Sequence, residues 1–284
     1  MAGDRSTPEG SHGGPDVPEA LGAREIEAIV AGLVQARAAR QPMALPAEFA
    51  QRCRPAQARE IADRHVAHLL ERGGGTVAGA KLGATNPELM ARLGLERPFS
   101  GPLLSTALLP SPARVKRGDY IACVVEAEVA VRFARPVDAA GRVPSREALA
   151  EAIGELFPVI ELADTRLAGF PALPPAAIVA DLGFSGSLVT GAPVADWRGI
   201  DLATATATLT VNGEEVRQGA GSAVLGHPLD ALAQYVAERA ESGQGITAGE
   251  IVSTGTWTAP YMGQAGDRIV ADFWPLGRVE VELA

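Results

Sequence analysis

Glu126 and Glu128 are the residues in this chain whose type and spacing first suggest chemistry. They stand two apart in Val124-Val125-Glu126-Ala127-Glu128-Val129-Ala130-Val131, a run whose β-branched residues predict a strand. Successive strand side chains point to opposite faces, so the two carboxylates share one face, about 7 Å apart along the backbone. Val125, Ala127 and Val129 share the other. Like charges this close in an apolar strand call for water or a cation to meet them, and Mg²⁺ and Mn²⁺ favour oxygen ligands. A half-exposed strand with a solvated outer face explains the same pair without a ligand. Glu161, inside the apolar run Phe157-Pro158-Val159-Ile160-Glu161-Leu162-Ala163, is a third acid where an unpaired charge is costly. It is either a functional carboxylate or half of a structural ion pair.

Lys81 lies among small and apolar neighbours in Thr76–Thr85, and the flanking Gly79 and Gly83 would let the backbone approach a ligand closely. A lysine at a strand end with its head in water is the plainer alternative. The spacing of a phosphate-binding loop is missing. His65 and His68, three apart on one helix, have no acidic or cysteine partner at ligand spacing nearby, so they read as ordinary helix residues. His227 precedes Pro228 at the start of a helix, where it can serve as a cap. Asp181 closes the apolar run that begins at Ala176.

The elements that position these residues follow from periodicity. Ile26, Ile29, Val30, Leu33 and Val34 predict a helix from Arg24 to about Arg40. A second helix, from about Pro55 to Arg72, carries Ile61, His65, Val66, Leu69 and Leu70 inward and stops at Gly73-Gly74-Gly75. A strand is predicted over 76–85. After the Asp138–Gly141 loop comes a helix with Ser145 as N-cap and Ala148, Leu149, Ile153 and Leu156 inward. Residues 176–181 read as a buried strand. Strands through 203–211 meet the Asn212-Gly213 hairpin turn. A helix from about 229 to 240 precedes closing β structure from 250 to 283.

Composition bounds the rest. Of 284 residues, 47% are hydrophobic, which excludes wholesale disorder. A net charge of −9, with no basic stripe, argues against nucleic acid. Cys53 and Cys123 are the only cysteines, too few and too far apart for a disulfide framework or a thiolate metal site, so a reducing cytoplasm is the simplest location. No run is long enough to span a bilayer, and the N-terminus lacks the apolar core of a signal peptide. The expected organisation is a disordered leader at 1–21, a helical section at 22–75 and a β-rich catalytic unit at 76–284.

Taken in order, Gly79-Ala-Lys81-Leu-Gly83, Glu126-Ala-Glu128, Glu161, Gly221-Ser, Leu225-Gly226-His227-Pro228, Thr254-Gly255 and Ala265-Gly266-Asp267 form a set. It resembles the 2-keto-4-pentenoate hydratase and 4-oxalocrotonate decarboxylase family of the fumarylacetoacetate hydrolase superfamily, from roughly Gly22 to the C-terminus. The resemblance implies an α+β fold, mixed and β-rich with peripheral helices and a helical N-terminal section, usually assembled as a homo-oligomer. It implies that Glu126, Glu128 and Glu161 ligate Mg²⁺ or Mn²⁺, that Lys81 is the active-site lysine, and that Thr254 and Gly255 contact substrate. The implied activity is a metal-dependent hydro-lyase of aromatic catabolism, adding water to a 2-hydroxy-2,4-dienoic (2-oxo-enoic) acid to give a 4-hydroxy-2-oxo acid.

Two departures bear on the reaction. Pro98-Phe99-Ser100-Gly101 stands where some hydratases carry an acid, and Ala180-Asp181-Leu182 stands where relatives often read Ala-Asp-Asn. Three alternatives follow: decarboxylation of a 2-oxo-enedioate, acylpyruvate-type C–C hydrolysis with His227 and Asp181 as acid–base candidates, and an inactive oligomeric partner subunit.

Overall fold

The computed structural model describes residues 18–138, 142–194 and 196–284. The expected leader as far as residue 17, and positions 139–141 of the expected loop, lie outside the described residues. Helical apolar spacing builds α1 (Ala23–Ala39), which buries Ile26, Ile29, Val30 and Leu33. The short α2 (Phe49–Arg52) follows, and Pro55 opens α3 (Pro55–Gly73) at a position where its missing N–H costs nothing. These helices share a core with Leu167, Ala177 and Ile178 from much later in the chain. The helical section is thus packed against the body of the protein.

The strand β1 (Val77–Gly83), helix α4 (Pro87–Leu93), and strands β2 (Phe99–Leu104), β3 (Leu108–Pro110) and β4 (Ala113–Val115) lead to the long β5 (Val124–Phe133) with the paired carboxylates. Helix α5 (Arg146–Ala152) begins as expected, with the Ser145 hydroxyl accepting from the Ala148 N–H at 3.2 Å. It ends earlier than periodicity predicts. Ile153 and Leu156 instead belong to β6 (Ile153–Ala163), which pairs along almost the whole of β5; that ladder outweighs a further turn of helix. A second correction concerns 176–181, where the chain forms α6 (Pro175–Ala180), with Asp181 as its C-cap, and not a strand. Pro175 sits in the first helical turn with its φ already set, and a short apolar run carries no period long enough to tell the two apart.

Strands β7 (Ser187–Thr190), β8 (Thr206–Val211) and β9 (Glu214–Ala220) precede α7 (Pro228–Glu241). The chain closes with β10 (Ile251–Thr256), β11 (Tyr261–Met262), β12 (Arg268–Trp274) and β13 (Gly277–Leu283). The β8–β9 hairpin turns at Asn212 and Gly213, both with positive φ (55° and 89°), as a tight hairpin turn of this hand requires.

An eight-stranded mixed sheet runs β2-β1-β10-β5-β6-β7-β3, with β11 beside β5, and a five-stranded sheet runs β4-β13-β12-β8-β9. The main core lies between them and α7: Val125, Ala127, Val129 and Leu162 meet Leu209, Ile269, Val279, Val281 and Leu232. The architecture is the mixed, β-rich one with outer helices that the family resemblance implies. Among the described residues no helix is long and apolar enough to cross a membrane.

Candidate metal centre and active site

The register between β5 and β6 sets Glu126 directly opposite Glu161, with Glu128 opposite Val159. Side-chain alternation then puts all three carboxylates on the face turned away from the main core, while Val125, Ala127 and Val129 are fully buried in it. One oxygen from each of Glu126, Glu128 and Glu161 lies within 4.8 Å of the others. Among the described residues, no other group of three or more His, Cys, Asp or Glu side chains converges in this way. Glu128 and Glu161 are buried and Glu126 is partly exposed, so the cluster meets solvent at Glu126.

Strand β10 comes from near the C-terminus and lies between β1 and β5. Ser253 pairs with Ala130 but Thr256 with Glu128, so the strand bulges between them. The bulge points the Gly255 N–H at Glu128 Oε2, 3.0 Å away, and the Ser253 hydroxyl donates to the same oxygen. Gly255 has φ +104°, and a Cβ there would stand 2.0 Å from Thr85 Oγ1, so this position admits only glycine. The Thr254 hydroxyl donates instead to the Val129 carbonyl at 3.0 Å. On the next strand Lys81 pairs in register with Ser253, and its Nζ reaches Glu161 Oε1 at 3.3 Å.

Three carboxylates against one ammonium leave a formal excess of two negative charges (−3 + 1 = −2) in a buried place. Burial, followed by the charges of Glu161 and Glu126, pushes the Glu128 carboxyl well above its ordinary range. Burial likewise raises Glu161 to about 7, against the opposing pull of Lys81. Burial also raises Glu126. For Lys81, burial works against the charge, but Glu161, Glu126 and Glu128 outweigh it and hold the ammonium above its usual value. Glu128 Oε1 and Glu161 Oε2 are buried and have no hydrogen-bond donor, a costly arrangement for acceptors this rich in charge. A hard divalent cation fits both the all-oxygen donor set and the charge excess.

The other candidates lie elsewhere. The Asp181 carboxylate is fully buried; it accepts from Arg166 Nε, from the Arg166 N–H at 2.8 Å and from the Thr165 hydroxyl at 2.8 Å. The expected acid–base role meets a carboxylate whose Oδ1 is paired with the Arg166 guanidinium and whose Oδ2 accepts from the Arg166 N–H and the Thr165 hydroxyl. Asp181→Asn will leave the buried Arg166 uncompensated and cost about 3–5 kcal/mol. Its denaturation midpoint will drop while Mg²⁺ titrates as in the parent protein. His227 caps α7, with Nδ1 accepting from the Leu229 N–H at 3.1 Å. Burial, followed by Arg146, lowers its pKa. His65 is fully buried with both ring nitrogens unpartnered, and burial takes its pKa down to about 2, so it stays neutral.

Sequence reasoning did not single out Ser253. Its strand was legible, but its partner Glu128 depends on a register that no local pattern encodes.

The family model of fumarylacetoacetate (FAA) hydrolase, C-terminal, matches residues 99–284. The chain is 34% identical over 213 residues to a 4-oxalocrotonate decarboxylase of Pseudomonas putida, covering 75% of this chain and 80% of that protein. It is 30% identical over 206 residues to a 2-hydroxyhexa-2,4-dienoate hydratase of Comamonas testosteroni, covering 72% and 77%. Among solved structures, 4-oxalocrotonate decarboxylase from Pseudomonas putida G7, complexed with magnesium and adipate, aligns with a TM-score of 0.84 at 28% identity, covering 94% of this chain and all of that one.

Proposed function

This chain belongs to the fumarylacetoacetate (FAA) hydrolase family, and from that premise we propose that it is a divalent-cation-dependent lyase releasing CO₂ from a small 2-oxo-enedioate. The observation that carries the reading is the convergence of Glu126, Glu128 and Glu161, with two donorless buried oxygens, beside Lys81. Held by those carboxylates, Mg²⁺ or Mn²⁺ supplies a Lewis acid that neutralises a 2-oxo carboxylate and polarises its carbonyl. Ser253 and the Gly255 N–H fix Glu128 in place. Lys81 brings a preorganised positive charge to the 2-oxo oxygen, where negative charge develops. Gly255 borders the site through its backbone, and Thr254 holds the bulge that presents it.

In a six-carbon 2-oxo-3-enedioate the bond from C5 to the C6 carboxylate breaks. Its electron pair forms a C4–C5 double bond, the old C3–C4 pair moves to C2–C3, and the carbonyl pair comes to rest on the C2 oxygen. CO₂ leaves, and one proton is needed, at that oxygen. Lys81 is the donor. No proton has to be taken from carbon or from water, which suits a site whose candidate acid–base pair, Asp181 and His227, is engaged with Arg166 and with the start of α7.

Hydration is the second reading, favoured by the likeness to dienoate hydratases. It begins from the same polarised 2-oxo group but also requires a proton drawn from water and another delivered to carbon. The proposal extends to a homo-oligomer located in the cytoplasm. Incubation with Mg²⁺ and a 2-oxo-3-enedioate will release one CO₂ per turnover and leave a 2-hydroxydienoate. If the protein instead consumes a supplied 2-hydroxydienoate and releases no CO₂ from the diacid, hydration is its reaction.

A further inference from the structure

We infer that Phe99 determines specificity: its ring receives the far carboxylate of the substrate against an apolar wall, leaving that charge unpaired until CO₂ departs. The inference rests on the decarboxylase reading and adds which residue meets the leaving group.

Lys81 Nζ is flanked by Glu161 Oε1 at 3.3 Å and by the Phe99 ring, whose centroid is 5.4 Å away. The ring lies over the backbone of Gly83, where a Cβ would stand 2.3 Å from Phe99 Cζ. Phe184 packs edge-on to Phe99 (6.2 Å between centroids, 82°), and Phe170 packs edge-on to Phe184 (5.6 Å, 89°). Phe170 is 36% exposed, so an aromatic wall runs from the lysine to solvent. The turn that presents Phe184 is held in an unfavourable backbone conformation, with φ of 58° at Leu182 and 63° at Phe184. Such positions persist only where their surroundings enforce them.

Among the described residues, Lys81 is the cation that meets the carboxylate cluster, with Nζ 3.3 Å from Glu161 Oε1. With the 2-oxo end of the substrate at the carboxylates and Lys81, the far end meets the rings of Phe99 and Phe184. A carboxylate there is poorly solvated; CO₂ is neutral and suits the same surface. During the reaction the charge moves from the far end to the C2 oxygen, beside Lys81. The wall penalises the ground state and spares the transition state, which is differential binding in favour of bond breaking.

Unreactive saturated ligands test this with the Mg²⁺-loaded protein. By calorimetry, 2-oxohexanoate will bind at least about tenfold more tightly than 2-oxoadipate, because only the latter buries a second charge. Phe99→Lys will invert the preference, tightening 2-oxoadipate while slowing CO₂ release by about tenfold or more, so KM and kcat fall together. Phe99→Leu, which keeps an apolar surface, will retain the wild-type order of affinities. Equal binding of the two ligands by the wild-type protein overturns the inference, as does faster CO₂ release by Phe99→Lys. A wild-type protein that prefers the monoacid yet releases no CO₂ from any diacid overturns the reaction assignment and leaves the apolar wall standing.

Discussion

Glu128→Gln will abolish productive binding of a divalent cation and the turnover that depends on it, while raising the melting temperature of the cation-free protein. The side chain is fully buried, and its carboxyl is pushed upward by burial and by the charges of Glu161 and Glu126. Glutamine keeps an oxygen for the Ser253 hydroxyl and the Gly255 N–H but removes the charge. Loss of outer-shell partners alone costs about 10–100-fold in metal affinity, so a ligand lost outright costs at least about 100-fold. Without the cation, the same substitution relieves a buried repulsion.

The sign of the pH dependence follows from Glu161, whose folded value of about 7 lies above its ordinary 4.5. The folded, cation-free protein binds the extra proton, so this group costs stability as pH climbs through about 7 and ceases to cost it below 4.5. A cation displaces those protons, so its apparent affinity weakens as pH falls over the same window. Calorimetric titration of Mg²⁺ across that window, in buffers of differing ionisation enthalpy, will show proton release on binding. Wild-type affinity in Glu128→Gln would remove this residue from the centre.

Lys81→Met separates the two roles of positive charge in the site. Turnover will fall by about 10²–10⁴-fold, the range for losing a positioned proton-transfer group. Cation affinity will hold or tighten, because the ammonium 3.3 Å from Glu161 competes electrostatically with the incoming ion. Weaker cation binding with intact turnover is the result that refutes the assignment. An inactive partner subunit would tolerate both substitutions without functional loss.

Much of this protein was legible in its sequence because the relevant signals are local. The two-residue spacing of Glu126 and Glu128 placed both carboxylates on one face, and helical spacing located α1, α3 and α7 to within a few residues. Asn212-Gly213 announced its hairpin. Gly79-Ala-Lys81-Leu-Gly83 marked the lysine that the fold brings to the carboxylates. Local pattern failed where a short apolar run suits either state, as at α6, and where pairing with a distant strand overrode a continuing helix, as at Ile153.

The tertiary structure alone decided who meets whom. The register that opposes Glu126 to Glu161, the insertion of β10 between β1 and β5, and the bulge that turns Ser253 and Gly255 onto Glu128 are long-range matters of strand pairing. The commitment of Asp181, at the end of α6, to Arg166 is likewise a tertiary contact, between two residues that sequence reasoning never paired. Periodicity reports which face a side chain takes, because that depends on backbone geometry within one element. Which charge it faces across a sheet is settled only when the whole chain has packed and each buried group has found, or lacks, its partner.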